Sequence, residues 1–329
     1  MQNCDDKFEY WKKNYRHIGN IQKIERFKES VNSTNFKIYA NNSSYVLHNY
    51  TDGSTYEKIN KMCAIQEFCI KHKVKVQKPI KNSKNSYIDY KKNFFLTKFY
   101  VGNTFKGKKN ELLNIAKELA ALHKILYINK IPFNFRLNHN NYRILTSREL
   151  QKVTKIIHQK KTITKLDKLI LNHIDFFQKI LNDYKMLTFS IKILNLPKQL
   201  IHHDLHPKNV IFVNDKVSAI IDFSNMRKGN VLEDISFVSY RFSSYKTTKI
   251  SESKKNISLF LQKYLEFNPI KSISDDLLQY FLLQKILARL SLIIRKNYFS
   301  CSDIWAFDFD NHLRMLKHAS NSKIFSNTV

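Results

Sequence analysis

Residues 201–224 bring together the side chains best suited to chemistry: Ile-His-His-Asp-Leu-His-Pro-Lys-Asn-Val-Ile-Phe-Val-Asn-Asp-Lys-Val-Ser-Ala-Ile-Ile-Asp-Phe-Ser. Val210–Val213 and Val217–Ile221 are runs rich in β-branched residues, separated by Asn214-Asp215-Lys216. That spacing predicts a β-hairpin. A hairpin brings its open ends within about 5 Å of each other, which sets Asn209 beside Asp222 with Asp204 in the loop before them. Oxygen ligands grouped in this way suit a hard cation such as Mg²⁺. The order His202-x-Asp204-x-x-x-x-Asn209, then Asp222-Phe223, supplies what phosphoryl transfer needs. One carboxylate receives or orients the proton of the attacking hydroxyl, and two oxygen ligands hold Mg²⁺ on the phosphates of ATP. The competing metal reading, a zinc site from His202, His203, Asp204 and His206, wants a helix. Pro207 and the extended run after it argue against one.

The elements that must carry this stretch are legible around it. Strands are expected at Ile21–Phe27, Phe36–Ala40 and Tyr45–Tyr50, then a helix over 55–72, then strands at Tyr87–Tyr90 and Asn93–Tyr100. Ser30–Asn35 reads as a loop whose hydroxyl, amide and backbone N–H groups suit a phosphate, as they also suit a plain hairpin turn. Val101-Gly102-Asn103 marks a boundary. Leu112, Ile115, Ala116, Leu119, Leu122 and Leu126 recur at helical spacing over Glu111–Leu126, with His123 as a packed residue, and 127–150 reads as irregular. Thr164 with Asp167 caps a helix expected to run through Tyr184, and Ser274 caps an apolar helix over 275–296. Asp303, Trp305, Asp308 and Asp310 near the end mix carboxylates with an aromatic face, a combination that attracts ammonium groups. The other reading is a terminal helix with aromatic packing.

The whole chain sets the bounds. Its 329 residues are 43% hydrophobic and 13% aromatic, enough for a large folded core rather than a disordered chain. The net charge of +29 comes from 56 basic and 27 acidic residues. Such a charge suits a nucleic acid or another anionic partner. However, the lysines are scattered, and abundant Lys, Asn and Ile are what A-rich codons produce, so nucleic acid is not the expected partner. Cys4, Cys63, Cys69 and Cys301 fit neither a zinc pattern nor a disulfide framework. The start of the chain does not read as a signal peptide. The most apolar stretch, 277–294, is interrupted by Gln284, Lys285 and Arg289, so a cytoplasmic protein with no membrane span is expected.

On these residues the chain resembles the aminoglycoside phosphotransferase and choline kinase family, which includes homoserine kinase-like and spore-coat kinase-like members. The resemblance is densest at His202–Asn209 and Ile221–Phe223. It extends more weakly through Asn35-Phe36, Tyr45-Val46-Leu47, Lys78-Pro79-Ile80, Gly102, Leu122-His123 and Glu233-Asp234-Ile235. It implies an α+β, two-lobed, protein-kinase-like fold: a small β-rich nucleotide-binding lobe over 1–101 and a larger, mostly helical catalytic and substrate lobe over 102–329. It also implies transfer of the γ-phosphoryl of ATP to a hydroxyl of a small molecule such as choline, homoserine, a sugar or an aminoglycoside. By the same resemblance Asp204 is the catalytic base, His202 braces its loop, His206 lies beside the transferred phosphate, and Asn209 and Asp222 hold Mg²⁺. Asp234 is structural. Ser33, Thr34 and His48 face the phosphates, while Thr97 and Phe99, on the Leu96–Tyr100 backbone, face adenine. Three departures stand out. His48 occupies the place of a phosphate-binding Lys or Arg, Met62 falls where a helix Glu is expected with Glu57 and Glu67 nearby, and Ser224 follows Asp222-Phe223. The first two leave a weakened, ATP-binding pseudokinase as the alternative. No V-A-I-K or A-P-E stretch is present, which favours a small acceptor over a peptide.

Overall fold

The computed structural model describes residues 13–27, 33–41, 43–50, 56–89, 94–128, 143–190, 196–271, 273–300, 302, 305–320 and 324–325. Its elements, in chain order, are β1 (Ile21–Arg26), β2 (Ser33–Ala40), β3 (Ser43–Tyr50), α1 (Tyr56–Lys71), β4 (Pro79–Ile80), β5 (Ile88–Asp89) and β6 (Phe94–Lys98). There follow α2 (Lys109–Ile128), α3 (Ser147–His158), α4 (Lys165–Leu171), α5 (Ile174–Ser190), β7 (Lys198–Ile201), β8 (Val210–Val213) and β9 (Lys216–Ile220). The last are β10 (Arg227–Asn230), α6 (Val231–Ser243), α7 (Ile250–Phe267), α8 (Asp275–Phe299) and α9 (Phe309–Ser320). Two compact units result, Met1–Arg136 with Asp204–Met226, and Leu137–His203 with Arg227–Val329.

The first unit is built on an antiparallel sheet of order β1-β2-β3-β6-β4, with β5 also paired to β6. Alternation along the strands divides its side chains between two faces. Phe36, Ile38, Tyr45, Leu47, Phe94 and Leu96 share one face and pack with Tyr15 and Ile18. Asn35, His48 and Phe95 are direct cross-strand partners, as are Lys37, Val46 and Thr97, and these two rows form the other, more polar face. The expected loop at Ser30–Asn35 is corrected over its second half. Ser33, Thr34 and Asn35 are already in β2, opposite Tyr50, Asn49 and His48, because the ladder runs to the end of β3. Residues 28–32 lie outside the described part.

The predicted hairpin is present, with Val210 opposite Ile220 and Val213 opposite Lys216. Its turn is the two residues Asn214 and Asp215, both at positive φ, 49° and 62°, the geometry that matches strand twist in tight hairpins. Ile220 accepts from the Gln77 N–H at 2.8 Å and donates to the Lys75 carbonyl at 2.7 Å. Asn103 and Phe212 exchange two backbone bonds, at 3.0 and 2.8 Å. Asp215 is tied to the start of α2 by Lys108 at 2.7 Å and Asn114 at 3.0 Å. Gly102 permits the Asn103 contact: a Cβ there would lie 2.5 Å from the Phe212 carbonyl oxygen.

In the second unit β7 pairs with β10, and helices α3–α9 make up most of the rest. The single expected helix from Thr164 to Tyr184 is two helices, broken at Asn172–His173, where His173 turns its N–H to the Ile170 carbonyl. Helix α3 lies partly in the stretch expected to be irregular. Its Thr146–Glu149 capping box satisfies the first N–H groups. Helix α8 alone among the described helices is long and apolar enough to cross a membrane, and 61% of its most apolar window is buried in the protein. It packs against α6 and α9 as the core helix of this unit.

Candidate active site

The hairpin does what its sequence promised. The Ile221 N–H bonds the Asn209 carbonyl at 2.9 Å, closing the open end, and Asp222 follows directly. Asp222 adopts the left-handed region, φ 60° and ψ 69°, so the chain turns sharply as it leaves the strand. Its Oδ1 accepts from the Ser224 hydroxyl at 2.6 Å and from the Ser224 N–H at 3.4 Å. Ser224 thus serves as an anchor for the carboxylate. Asn209 is nearly buried, and its Nδ2 donates to the Asp204 carbonyl at 2.9 Å. Fixing the nitrogen end of the amide leaves the oxygen end as its ligand, the right donor for a hard cation. Asp204 also accepts from Asn225 Nδ2 at 3.0 Å on Oδ2. The oxygen donors of Asn209 and Asp222 are therefore of the type that suits Mg²⁺.

The loop before the hairpin is held at two points. His206 caps the turn Pro207–Asn209, its Nδ1 accepting from the Lys208 N–H at 3.2 Å. Its proton therefore sits on Nε2, leaving that N–H as the donor. His202 is fully buried, and its N–H donates to Asp234 Oδ2 at 2.8 Å, while the His203 N–H donates to Asp234 Oδ1 at 2.8 Å. Asp234 stands in the first turn of α6, whose start is fixed by the capping box of Asn230 and Glu233.

The polar face of the sheet carries His48. Its Nε2 lies 2.9 Å from Thr97 Oγ1, which also accepts from Gln77 Nε2 at 2.8 Å. With the Thr97 oxygen already accepting from Gln77, its hydroxyl proton is free to point at His48, whose Nε2 then accepts. The ring stacks on Phe95 with centroids 4.5 Å apart. Burial pushes the imidazole down to about 4, against the opposing pull of the Asp222 carboxylate. His48 is therefore neutral at physiological pH. Neither carboxylate of α1 is turned to it: Glu57 pairs with Lys61, and Glu67 lies 3.7 Å from Lys81. Met62 is buried. Sequence reading missed two polar groups on this face. Asn35, opposite His48, has a buried Oδ1 with no hydrogen-bond partner. Lys37 holds its ammonium 4.0 Å from the Phe99 ring and 4.3 Å from the Tyr39 ring. The Phe99 N–H is committed to the Ser44 carbonyl at 2.9 Å, and Thr97 is fully buried. The signal that could have found these two is the β2–β3 register, which sets Asn35 opposite His48, together with period-2 alternation along β2, which puts Lys37 on the same face.

Near the end of the chain the aromatic face and carboxylate expected to meet a cationic substrate meet a cation of the chain itself. The Arg289 guanidinium lies 4.8 Å from the Trp305 ring and 3.2 Å from Asp308. Burial raises the Asp308 carboxyl, but His312 and Arg289 more than offset it and hold it at about 2. Asp310 pairs with Arg314 at 3.6 Å. Asp303 lies outside the described residues.

Known structures share this fold at low identity. A spectinomycin phosphotransferase solved with ADP and spectinomycin superposes with a TM-score of 0.72 at 14% identity, covering 98% of both chains. A choline kinase from Cryptosporidium parvum gives 0.59 at 14% identity, over 99% of each chain. An ethanolamine kinase from Plasmodium vivax gives 0.56 at 16%, covering 100% of this chain and 92% of the other. Among curated protein sequences nothing matches. The model of the phosphotransferase enzyme family matches residues 23–250, more than half of the chain, from within β1 through the hairpin and α6. The chain thus has the protein-kinase-like α+β fold and belongs to the phosphotransferase enzyme family.

Proposed function

We propose that this enzyme transfers the γ-phosphoryl of ATP, taken as its Mg²⁺ complex, to a hydroxyl of a small molecule such as an amino alcohol, a sugar or an aminoglycoside. The observation that carries the reading is the hairpin end. There Asn209 and Asp222 present oxygen ligands, and the Asn209 amide is tied to the backbone of Asp204. Solved relatives of the same fold contain ADP or AMP-PNP, which supports a nucleotide ligand. Residues 1–101 are assigned to the nucleotide and 102–329 to catalysis and the acceptor. Free, buried Cys63 and Cys69 suit a reducing, cytoplasmic setting.

Asp204 orients the acceptor hydroxyl and takes its proton. Asn225, bonded to its Oδ2, limits the rotation of that carboxylate. Asn209 and Asp222 are the ligands for Mg²⁺, which supplies charge neutralisation on the phosphates when bound. His206 offers its Nε2–H to a phosphate oxygen. On the sheet, His48 serves the phosphates through hydrogen bonding, without charge, and the orphaned Asn35 oxygen accepts from a nucleotide donor. With little covalent work for the protein to do, positioning and electrostatic stabilisation carry most of the rate.

A second reading is favoured by His48 itself. An uncharged residue in the phosphate-binding place, with both α1 carboxylates turned elsewhere, describes an ATP binder of weak turnover. The deciding experiment is a radiolabelled-ATP screen over amino alcohols, sugars and aminoglycosides with wild type and D204A. Label transfer that D204A abolishes while ATP binding persists supports the kinase. Mg²⁺-dependent ATP binding with no transfer to any acceptor supports the weak binder. Transfer unaffected by D204A overturns the assignment of Asp204.

A further inference from the structure

The backbone that delivers Asp204 is held in a conformation its sequence disfavours. His203, immediately before it, sits at φ 69° in the left-handed region, which costs a side-chain-bearing residue roughly 1–2 kcal/mol. Two charged groups of opposite sign grip this one turn. On the N–H side both oxygens of Asp234, a residue only 2% exposed, take the N–H groups of His202 and His203. On the carbonyl side Lys285, in the middle of the core helix α8, donates to the His203 carbonyl oxygen and lies 3.0 Å from His203 Nε2. An ammonium has three N–H donors and no acceptor. The ring nitrogen facing it therefore carries its lone pair, and one cation grips both the backbone and the side chain of His203. The Lys285 ammonium also lies 5.0 Å from the Phe237 ring. Phe237 and Asp234 are three residues apart, on one face of α6. The grip is thus built from two buried helices distant in sequence from the loop they hold.

We propose that Lys285 is a positioning residue for phosphotransfer: it locks His203 in the left-handed turn and so fixes the direction in which the next residue, Asp204, is presented. The kinetic consequence rests on Asp204 being the base; the locked turn itself does not. An ammonium on a carbonyl oxygen is a charge-assisted bond, stronger than a neutral one, and a displacement of about 1 Å at a reacting group is enough to cost about 10²-fold in rate. The role is distinct from phosphate binding, because the atoms Lys285 grips belong to the protein.

The test compares K285M, which keeps the apolar stem over Phe237 but loses every N–H, with K285R, which restores donors and charge. Three quantities are read: the Asp204-dependent hydrolysis of Mg–ATP with water as acceptor, the Kd for Mg–ATP, and hydrogen exchange of the 200–205 backbone amides. K285M should lower the hydrolysis rate about 10- to 100-fold with Kd within about twofold, and K285R should recover most of the rate. Amide exchange at His202 and His203 should quicken at least about tenfold in K285M as the turn loosens. Unchanged exchange, or an unchanged rate beside an active wild type, overturns the proposal. If the wild type shows neither Asp204-dependent hydrolysis nor transfer to any acceptor of the screen, the phosphotransfer reading fails, and the exchange rates alone still decide whether Lys285 holds the turn. Should K285M not fold, K285Q is read in the same way.

Discussion

Replacing His48 with Lys tests how the polar face treats phosphate. An imidazole at about 4 is protonated in only about one molecule in 10³ at pH 7, so wild type offers the nucleotide a neutral group. A neutral hydrogen bond contributes about 0.5–1.5 kcal/mol and one with a charged partner about 1.5–3 kcal/mol. H48K should therefore bind Mg–ATP more tightly by about 1–1.5 kcal/mol, roughly 5- to 13-fold in Kd. The Asp222 carboxylate, whose field already reaches this position, helps to hold the new ammonium. Calorimetric titration of wild type, H48K and H48Q with Mg–ATP between pH 6 and 8 reads the effect. The ratio of wild-type to H48Q affinity cancels the nucleotide's own titration and should be flat, since His48 changes charge only well below pH 6. An H48K protein that is folded but binds no more tightly, or a step in that ratio near pH 6.5, would refute the reasoning.

Substituting Asp222 with Asn removes a charge from the proposed metal site and should raise the Mg²⁺ concentration for half-maximal ATP binding at least about tenfold, read by Mg²⁺ titration at fixed ATP. G102A forces a Cβ to within 2.5 Å of the Phe212 carbonyl; overpacking of this kind costs about 1–3 kcal/mol and should appear as a lower urea midpoint. Arg295 beside Glu149 holds that carboxyl down at about 2. A depressed carboxylate stabilises the fold above its unfolded value and loses that contribution as pH falls from about 4.5 to about 2, on the order of 1 kcal/mol once solvent screening of the pair is allowed for. E149Q should therefore flatten part of the acid limb of stability measured by urea unfolding, and an unaltered limb would count against the pair.

Much of the site could be read because its signals are local. The hairpin from Val210 to Ile220 follows from β-branched runs and a turn, and a hairpin of any sequence pairs its ends, so Asn209 and Asp222 were placed by spacing alone. Caps are local too. Thr164–Asp167 was read correctly, and the same logic applied to Thr146–Glu149 and Asn230–Glu233 would have placed α3 and α6. The break at Asn172–His173 left no such mark, because both halves keep helical spacing. Trp305 and Asp308 are different: their types suit a cation, but which groups they meet is a question of packing, and Arg289 of α8 reaches them.

By itself the sequence determined the chemistry on offer: a loop carboxylate, two oxygen donors at the ends of a hairpin, and a histidine where a cation is expected. Residue type and spacing along one or two paired strands carry that information. Only the tertiary structure decided the state of those groups. Burial against Phe95 makes His48 neutral. Asp234 and Lys285, 32 and 82 residues from the loop atoms they bind, impose on His203 a turn that nothing in its own neighbourhood favours. Desolvation and long-range hydrogen bonds depend on which elements meet, and no spacing within a single element records that.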